Sequence, residues 1–179
     1  MKKNILIYFG LALLLLISAI TISNYETKGE KATKRLESIL SSSLLNLWND
    51  YDNIHKYSTN ELSIESVREI NKKLSSIEIY SNVIDEAVSQ NLLNPIAKNL
   101  RNIVKDIENN YDKNGKFTLQ DGENYRNVLA EVNNILQLIS EIYYVSESTE
   151  GSKPTLKIKK FDELKKLNHR LITHTKKTR

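Results

Sequence analysis

A chain of 179 residues with 5 Gly, 2 Pro and no Cys excludes a collagen-like repeat, a disulfide scaffold, a zinc ribbon and a cysteine nucleophile. Turn-forming residues are too few for an all-β sandwich, and a polar remainder rich in Asn, Ser, Lys, Glu and Ile suits exposed helices. The formal charge of +4 hides an asymmetry: residues 152–179 carry ten Lys and Arg against two Asp and Glu, a net of +8, so the rest of the chain nets −4.

From Ile5 to Ile22 run eighteen residues without a charge. As a helix rising about 1.5 Å per residue they cover roughly 27 Å, close to the roughly 30 Å of a bilayer core. Backbone groups in lipid must be bonded internally, so this stretch is expected to be helical whatever its local propensities. Lys2 and Lys3 precede it, as in a signal peptide, but the run exceeds an h-region of roughly 7 to 15 residues, and Thr21 and Ser23 are its best small pair for cleavage. Residues 1–24 are therefore read as a retained transmembrane signal-anchor. Lys28, Lys31, Lys34 and Arg35 beyond the span would, by a positive-inside count, keep the body in the cytoplasm. The short two-lysine tail and the interspersed Glu26, Glu30 and Glu37 favour the opposite orientation, with the body outside. The lack of Cys suits an oxidising exterior and excludes a lipid-modified cysteine anchor.

Beyond the anchor no Pro occurs until Pro95, and the spacing of apolar residues defines the elements. Leu36, Leu40, Leu44, Leu47, Tyr51 and Ile54 step by four and three along one face of a first helix, with Trp48 read as a packing residue beside them. The segment Tyr57 to Leu62 breaks the pattern. Ser63 is placed as the N-cap of a second helix, with Glu65 in its first turn. Along that helix Val67, Ile70, Leu74, Ile77, Ser81, Ile84 and Val88 form a near-heptad seam with one polar interruption. Asn94-Pro95 marks the next boundary, with Pro95 expected at the first position of a third helix. Ile96, Leu100, Ile103, Val104 and Ile107 make its apolar face, and Asn114-Gly115 ends it. Thr118 and Asp121 have capping-box spacing for a fourth helix with a broad face: Leu119, Tyr125, Val128, Leu129, Val132, Ile135, Leu136, Ile139, Ile142 and Tyr143.

Residues 148–154, within the stretch Ser146 to Pro154, read as a linker. In the basic segment 155–179, Leu156 and Ile158 alternate with Lys157 and Lys159 in a brief strand-like pattern. Phe161, Leu164, Leu167, Leu171 and Ile172 then adopt helical spacing. The fold expected is all-α: an N-terminal transmembrane helix, an antiparallel bundle of about four helices over residues 25–147, and a basic C-terminal amphipathic helix. The seam from Val67 to Val88 also suits a coiled coil with another chain.

Chemistry-bearing patterns are sparse. Asp112, Asn114, Thr118, Gln120 and Glu123 match ligand positions of a calcium loop, yet Lys116 puts a cation where a ligand oxygen is needed and Phe117 replaces the turn glycine. A helix-to-helix turn is the simpler reading. His55 lies near Asp50 and Asp52, which could orient it, but no nucleophile signature accompanies it. His169 and His174 are five apart, off the shared face that a zinc pair at i, i+4 requires. The acid pairs Asp85-Glu86 and Asp106 with Glu108 are read as exposed partners of Lys72, Lys73, Lys98, Arg101 and Lys105. Tyr80 and the Tyr143-Tyr144 pair are placed at the core or bundle edge. No cofactor, metal or catalytic residue is assigned.

Lys157, Lys159, Lys160, Lys165, Lys166, Arg170, Lys176 and Lys177 are the candidate residues for an anionic surface, lipid headgroup or wall polymer, with Phe161, Leu164, Leu167 and Leu171 entering the interface. In the competing reading those apolar residues complete the bundle core and the cations are solvated. Nucleic acid is disfavoured, because only Phe161 could serve as a stacking platform. The sequence thus points to a membrane-anchored extracytoplasmic binding, scaffold or sensor-like protein of a bacterial envelope, joined to a protein partner or a second copy of itself. The alternative is an anchored protein facing the cytoplasm, its tail on anionic lipid or nucleic acid.

Overall fold

The structure, a computed structural model, describes residues 29–32, 34–59, 61–141, 145–147, 155–157 and 160–177. The chain divides into two compact units, Met1–Ile39 and Leu40–Arg179. In the first, residues 29–32 and 34–39 are helical. The expected membrane span Ile5 to Ile22 lies outside the described residues. Among those that are described, no helix is long and apolar enough to cross a membrane.

Among the described residues the second unit is a helical bundle of five helices. Helix α1 covers residues 40–55 and leads into a 3-10 turn at Lys56–Thr59. It is followed by α2 (Ile64–Ala87), α3 (Leu93–Asn114) and α4 (Leu119–Glu141). A two-stranded antiparallel ladder, β1 (Val145–Glu147) with β2 (Thr155–Lys157), precedes α5 (Phe161–Lys177). In the ladder Val145 stands opposite Lys157 and Glu147 opposite Thr155, so the alternation around Leu156 does mark a strand.

Each helix begins and ends where local chemistry dictates. The Ser63 side chain accepts the Ser66 N–H at 3.1 Å, giving α2 the cap its sequence announces. At the start of α4 the capping box is reciprocal. Thr118 Oγ1 accepts the Asp121 N–H at 3.1 Å and Asp121 Oδ2 accepts the Thr118 N–H at 2.8 Å. Gly115, at φ 67°, closes α3 in the left-handed conformation, its N–H bonded to the Tyr111 carbonyl at 2.8 Å.

The start of α3 departs from expectation. Pro95 occupies the third helical position, not the first, because every N–H of the first turn lacks a partner inside the helix and a missing one is equally harmless there. The cap comes from α2. Asp85 Oδ2 accepts the N–H groups of Leu92 (2.9 Å) and Asn94 (2.8 Å), and Oδ1 accepts that of Leu93 (3.1 Å). Asp85 is therefore buried and committed to the backbone, which corrects its reading as an exposed acid. Burial pushes its carboxyl above the ordinary value, against the three donors that pull it down.

The core lies where the apolar spacing places it, except that Leu36, the first residue of the face expected on the first helix, is exposed. The six seam positions within α2 and Val88 just past its end are buried, with Ser81 included and its hydroxyl without a partner among the described residues. The seam packs within the chain, against the face of α3 formed by Ile96, Leu100, Ile103, Val104 and Ile107. In α1, Leu40, Leu47, Tyr51 and Ile54 are buried and Leu44 is partly so, whereas Trp48 is 38% exposed and lies at the rim rather than in the packing. In α4, Tyr125, Val128, Leu129, Val132, Ile135 and Ile139 are buried, Leu136 partly, and Ile142 and Tyr143 are outside the described residues. Leu119 is 91% exposed: six positions before Tyr125 is about 120° round the helix, so the same period that buries its neighbours turns it to solvent. Tyr80 packs against the core edge as expected.

Several charged pairs join one helix to another. Arg68 reaches Asp112 (2.9 Å) and Glu108 (3.4 Å), Arg101 reaches Glu78 (2.8 Å), and Lys73 of α2 reaches Asp50 of α1 (2.9 Å). Asn71 also donates to Glu108 at 2.7 Å. Along α2 the partners on α3 occur in reverse order, so these two helices run antiparallel.

Candidate functional site

Of the eight candidate cations, three meet in one place. The backbone of Lys160 turns into α5 with φ 59°, and its carbonyl accepts the N–H groups of Glu163 (3.1 Å) and Leu164 (3.3 Å), starting the helix. From there Lys160, Lys166 and Arg170, spaced at helical intervals, line a shallow groove of about 280 Å³ between α5 and α4. Asn134, Gln137 and Leu138 of α4 form the other wall, and Glu163 is the one acid among the described lining residues. Lys160 and Glu163 are 3.9 Å apart.

Arg170 is fixed by a two-pronged pair with Glu131 of α4, Nε to Oε1 at 3.0 Å and Nη2 to Oε2 at 2.9 Å. Those bonds hold its guanidinium above its already high ordinary pKa. Lys165 and His169 are exposed, away from the core. Lys157 stands in β2, and Lys176 and Lys177 belong to the last turn of α5, with nothing described of their side chains. Lys159 lies outside the described residues.

The apolar side of α5 shows where its leucines go. Leu164, Leu167 and Leu171 are 0%, 1% and 1% exposed, packed into the same core as α3, so they do not form a surface stripe that could enter a membrane interface. The physical reason is area. Burial against α3 removes those side chains from water permanently, each by roughly 1.5 to 3 kcal/mol, without needing a lipid surface. The cations, anchored on a helix that the core holds in place, can act only through their heads. Asn134 and Gln137 were not legible as part of this wall, because nothing local tells which face of α4 meets α5.

The remaining sequence candidates are committed to the fold. Asp50 and Asp52, near His55 in sequence, bind Lys73 and Lys56. Asp112 holds Arg68, and Asp121 is 1% exposed, so the calcium-like segment is the turn from α3 to α4. Burial acts to raise the Asp121 carboxyl, but bonds from Asn110 and from the N–H and hydroxyl of Thr118 outweigh it and hold the group below the ordinary carboxylate value. Asn110, on α3, thereby ties the two helices at the turn. Among the described residues, no group of three or more His, Asp or Glu side chains is placed to hold a metal ion.

Compared with known proteins, the chain matches no family model, no curated protein and no solved structure.

Proposed function

We propose that this protein is a membrane-tethered helical binding module whose body lies outside the cytoplasm and whose α4–α5 side meets an anionic surface. The observation that carries the reading is the division of labour on α5. Its leucines are consumed by the core, while Lys160, Lys166 and Arg170 line an open groove beside two amides. Cations on a helix locked in this way present a fixed pattern to headgroups or wall polymers, each contributing about 1 kcal/mol near a charged surface. The uncharged run Ile5 to Ile22 precedes the folded unit that begins at Leu40, which suits a tether joined to a self-sufficient body.

The test of topology uses the absence of native Cys. Asn134 is exposed, so Asn134→Cys in the full chain gives a single reactive thiol. Labelling by a membrane-impermeant maleimide in intact cells is expected; protection until the cells are broken would place the body in the cytoplasm. The surface reading predicts that the doubly reversed Lys165→Glu, Lys166→Glu chain loses salt-sensitive retention on anionic vesicles while its helicity is unchanged. Equal retention of both chains would remove the anionic-surface role.

A further inference from the structure

Most seams between helices of the body are closed by a polar pair: Asp50 with Lys73, Glu78 with Arg101, Asn110 with Asp121, Asn99 with Asn168, and Glu131 with Arg170. The seam between α1 and α4 is different. There His55 of α1 and Arg126, Leu129, Ala130 and Asn133 of α4 line a cleft of about 340 Å³. The pattern on α4 is helical: Arg126, Ala130 and Asn133, at steps of four and three, share the face turned to His55.

None of the three polar side chains has a hydrogen-bond or ion-pair partner among the described residues. Arg68, Arg101 and Arg170 each hold a carboxylate, and Arg126 holds none. The Nδ1 atom of His55 is buried and unbonded, a condition that costs roughly 1 to 3 kcal/mol and that native interiors seldom tolerate without a use. A guanidinium and a carboxamide on one helix face, beside an imidazole and two apolar side chains, are a donor set lacking only its acceptor.

We propose that this cleft binds a carboxylate. The guanidinium fork matches the two oxygens of a carboxylate, and Asn133 adds a donor at its edge, with His55 lining the opposite side. Charge selects the class of ligand: Arg126 is the one permanent cation among the described lining residues, and a monoanionic carboxylate balances it where a phosphate dianion exceeds it. Ala130 and Leu129 receive the carbon skeleton, and the volume, at the small end of ligand sites, suits a short aliphatic acid or one acidic residue of a peptide.

The chain has only three histidines, so the His55 ring can be followed by NMR in the full-length protein in detergent micelles. Butyrate, a short peptide amide containing one Asp, and inorganic phosphate are titrated separately. A saturable shift of the His55 ring is expected with butyrate, with the peptide, or with both, and whichever responds identifies the source of the group. Arg126→Gln, a change at an exposed position, should weaken that response at least tenfold, whereas Lys166→Glu should leave it unchanged. The assignment is overturned if neither carboxylate probe saturates, if Arg126→Gln responds like the parent, or if phosphate binds as tightly as the carboxylates.

Discussion

Asp85 shows how one side chain can stand in for a local cap. Its two oxygens serve three backbone N–H groups at the start of α3 from within the last turn of α2, so it fixes the angle between these helices as well as the end of one of them. Replacing it by Ala would strand three donors in a buried setting. Asp85→Ala is expected to lower stability by about 3 kcal/mol, read as a fall in the urea midpoint with the slope unchanged. Asp121 makes a comparable cap but titrates in the opposite sense. Its folded-state carboxyl is held below the ordinary value of about 3.9, so its contribution is complete above that value and is lost as pH falls toward the folded-state value. The stability gap between the parent and Asp121→Asn, measured by urea unfolding, should therefore be constant from pH 7 to about 5 and shrink steadily below about 4. The Ser63 cap and the Thr118–Asp121 box were legible in the sequence because both partners lie within three residues. Asp85 was not, because its acceptors' donors lie seven to nine residues on, across a turn whose geometry no local pattern specifies.

At the level of the element, period and packing agree closely for α2 and α3, where the residues spaced by three and four are the buried ones. Agreement fails at ends and rims. Leu119 sits before the apolar face of α4 comes into register, and Trp48 lies beside the buried line of Leu47, Tyr51 and Ile54. The basic α5 is the informative case, since amphipathicity alone states that one side is apolar and not what covers it. If its leucines belong to the core, Leu167→Ala should destabilise the entire body by about 2 to 5 kcal/mol in a single cooperative transition. Lys166→Glu, on the solvent side, should change stability by no more than about 0.5 kcal/mol. A Leu167→Ala chain that lost only α5 helicity while the remainder melted unchanged would contradict this packing.

For the whole molecule, the folded unit begins at Leu40 and contains its own core, from Leu40 and Leu47 in α1 to Leu171 in α5. A chain lacking residues 1–33 is therefore expected to keep a melting midpoint within a few degrees of the parent in detergent, followed by far-UV circular dichroism. The same deletion should abolish sedimentation with membranes if the uncharged run is a tether. Loss of both properties together would mean that the body depends on the segment before it.

Sequence alone determined that the body is helical, where its helices begin and end to within a few residues, and which face of each is apolar. These are properties of spacing and of contacts within one or two turns. The partition of charge into an acidic body and a basic tail was equally plain from composition. Tertiary structure decided the rest: that the α2 seam pairs with α3 of the same chain, that the leucines of α5 are buried, and that Lys160, Lys166 and Arg170 share a groove with Asn134 and Gln137. It also decided that His55 faces Arg126, 71 positions along the chain, and not the aspartates beside it. Hydrophobic attraction is non-directional, so an apolar stripe specifies that it will be covered without specifying by what. Which stripes meet is settled only when all of them compete for the same core, and the polar clefts at the borders follow from that outcome.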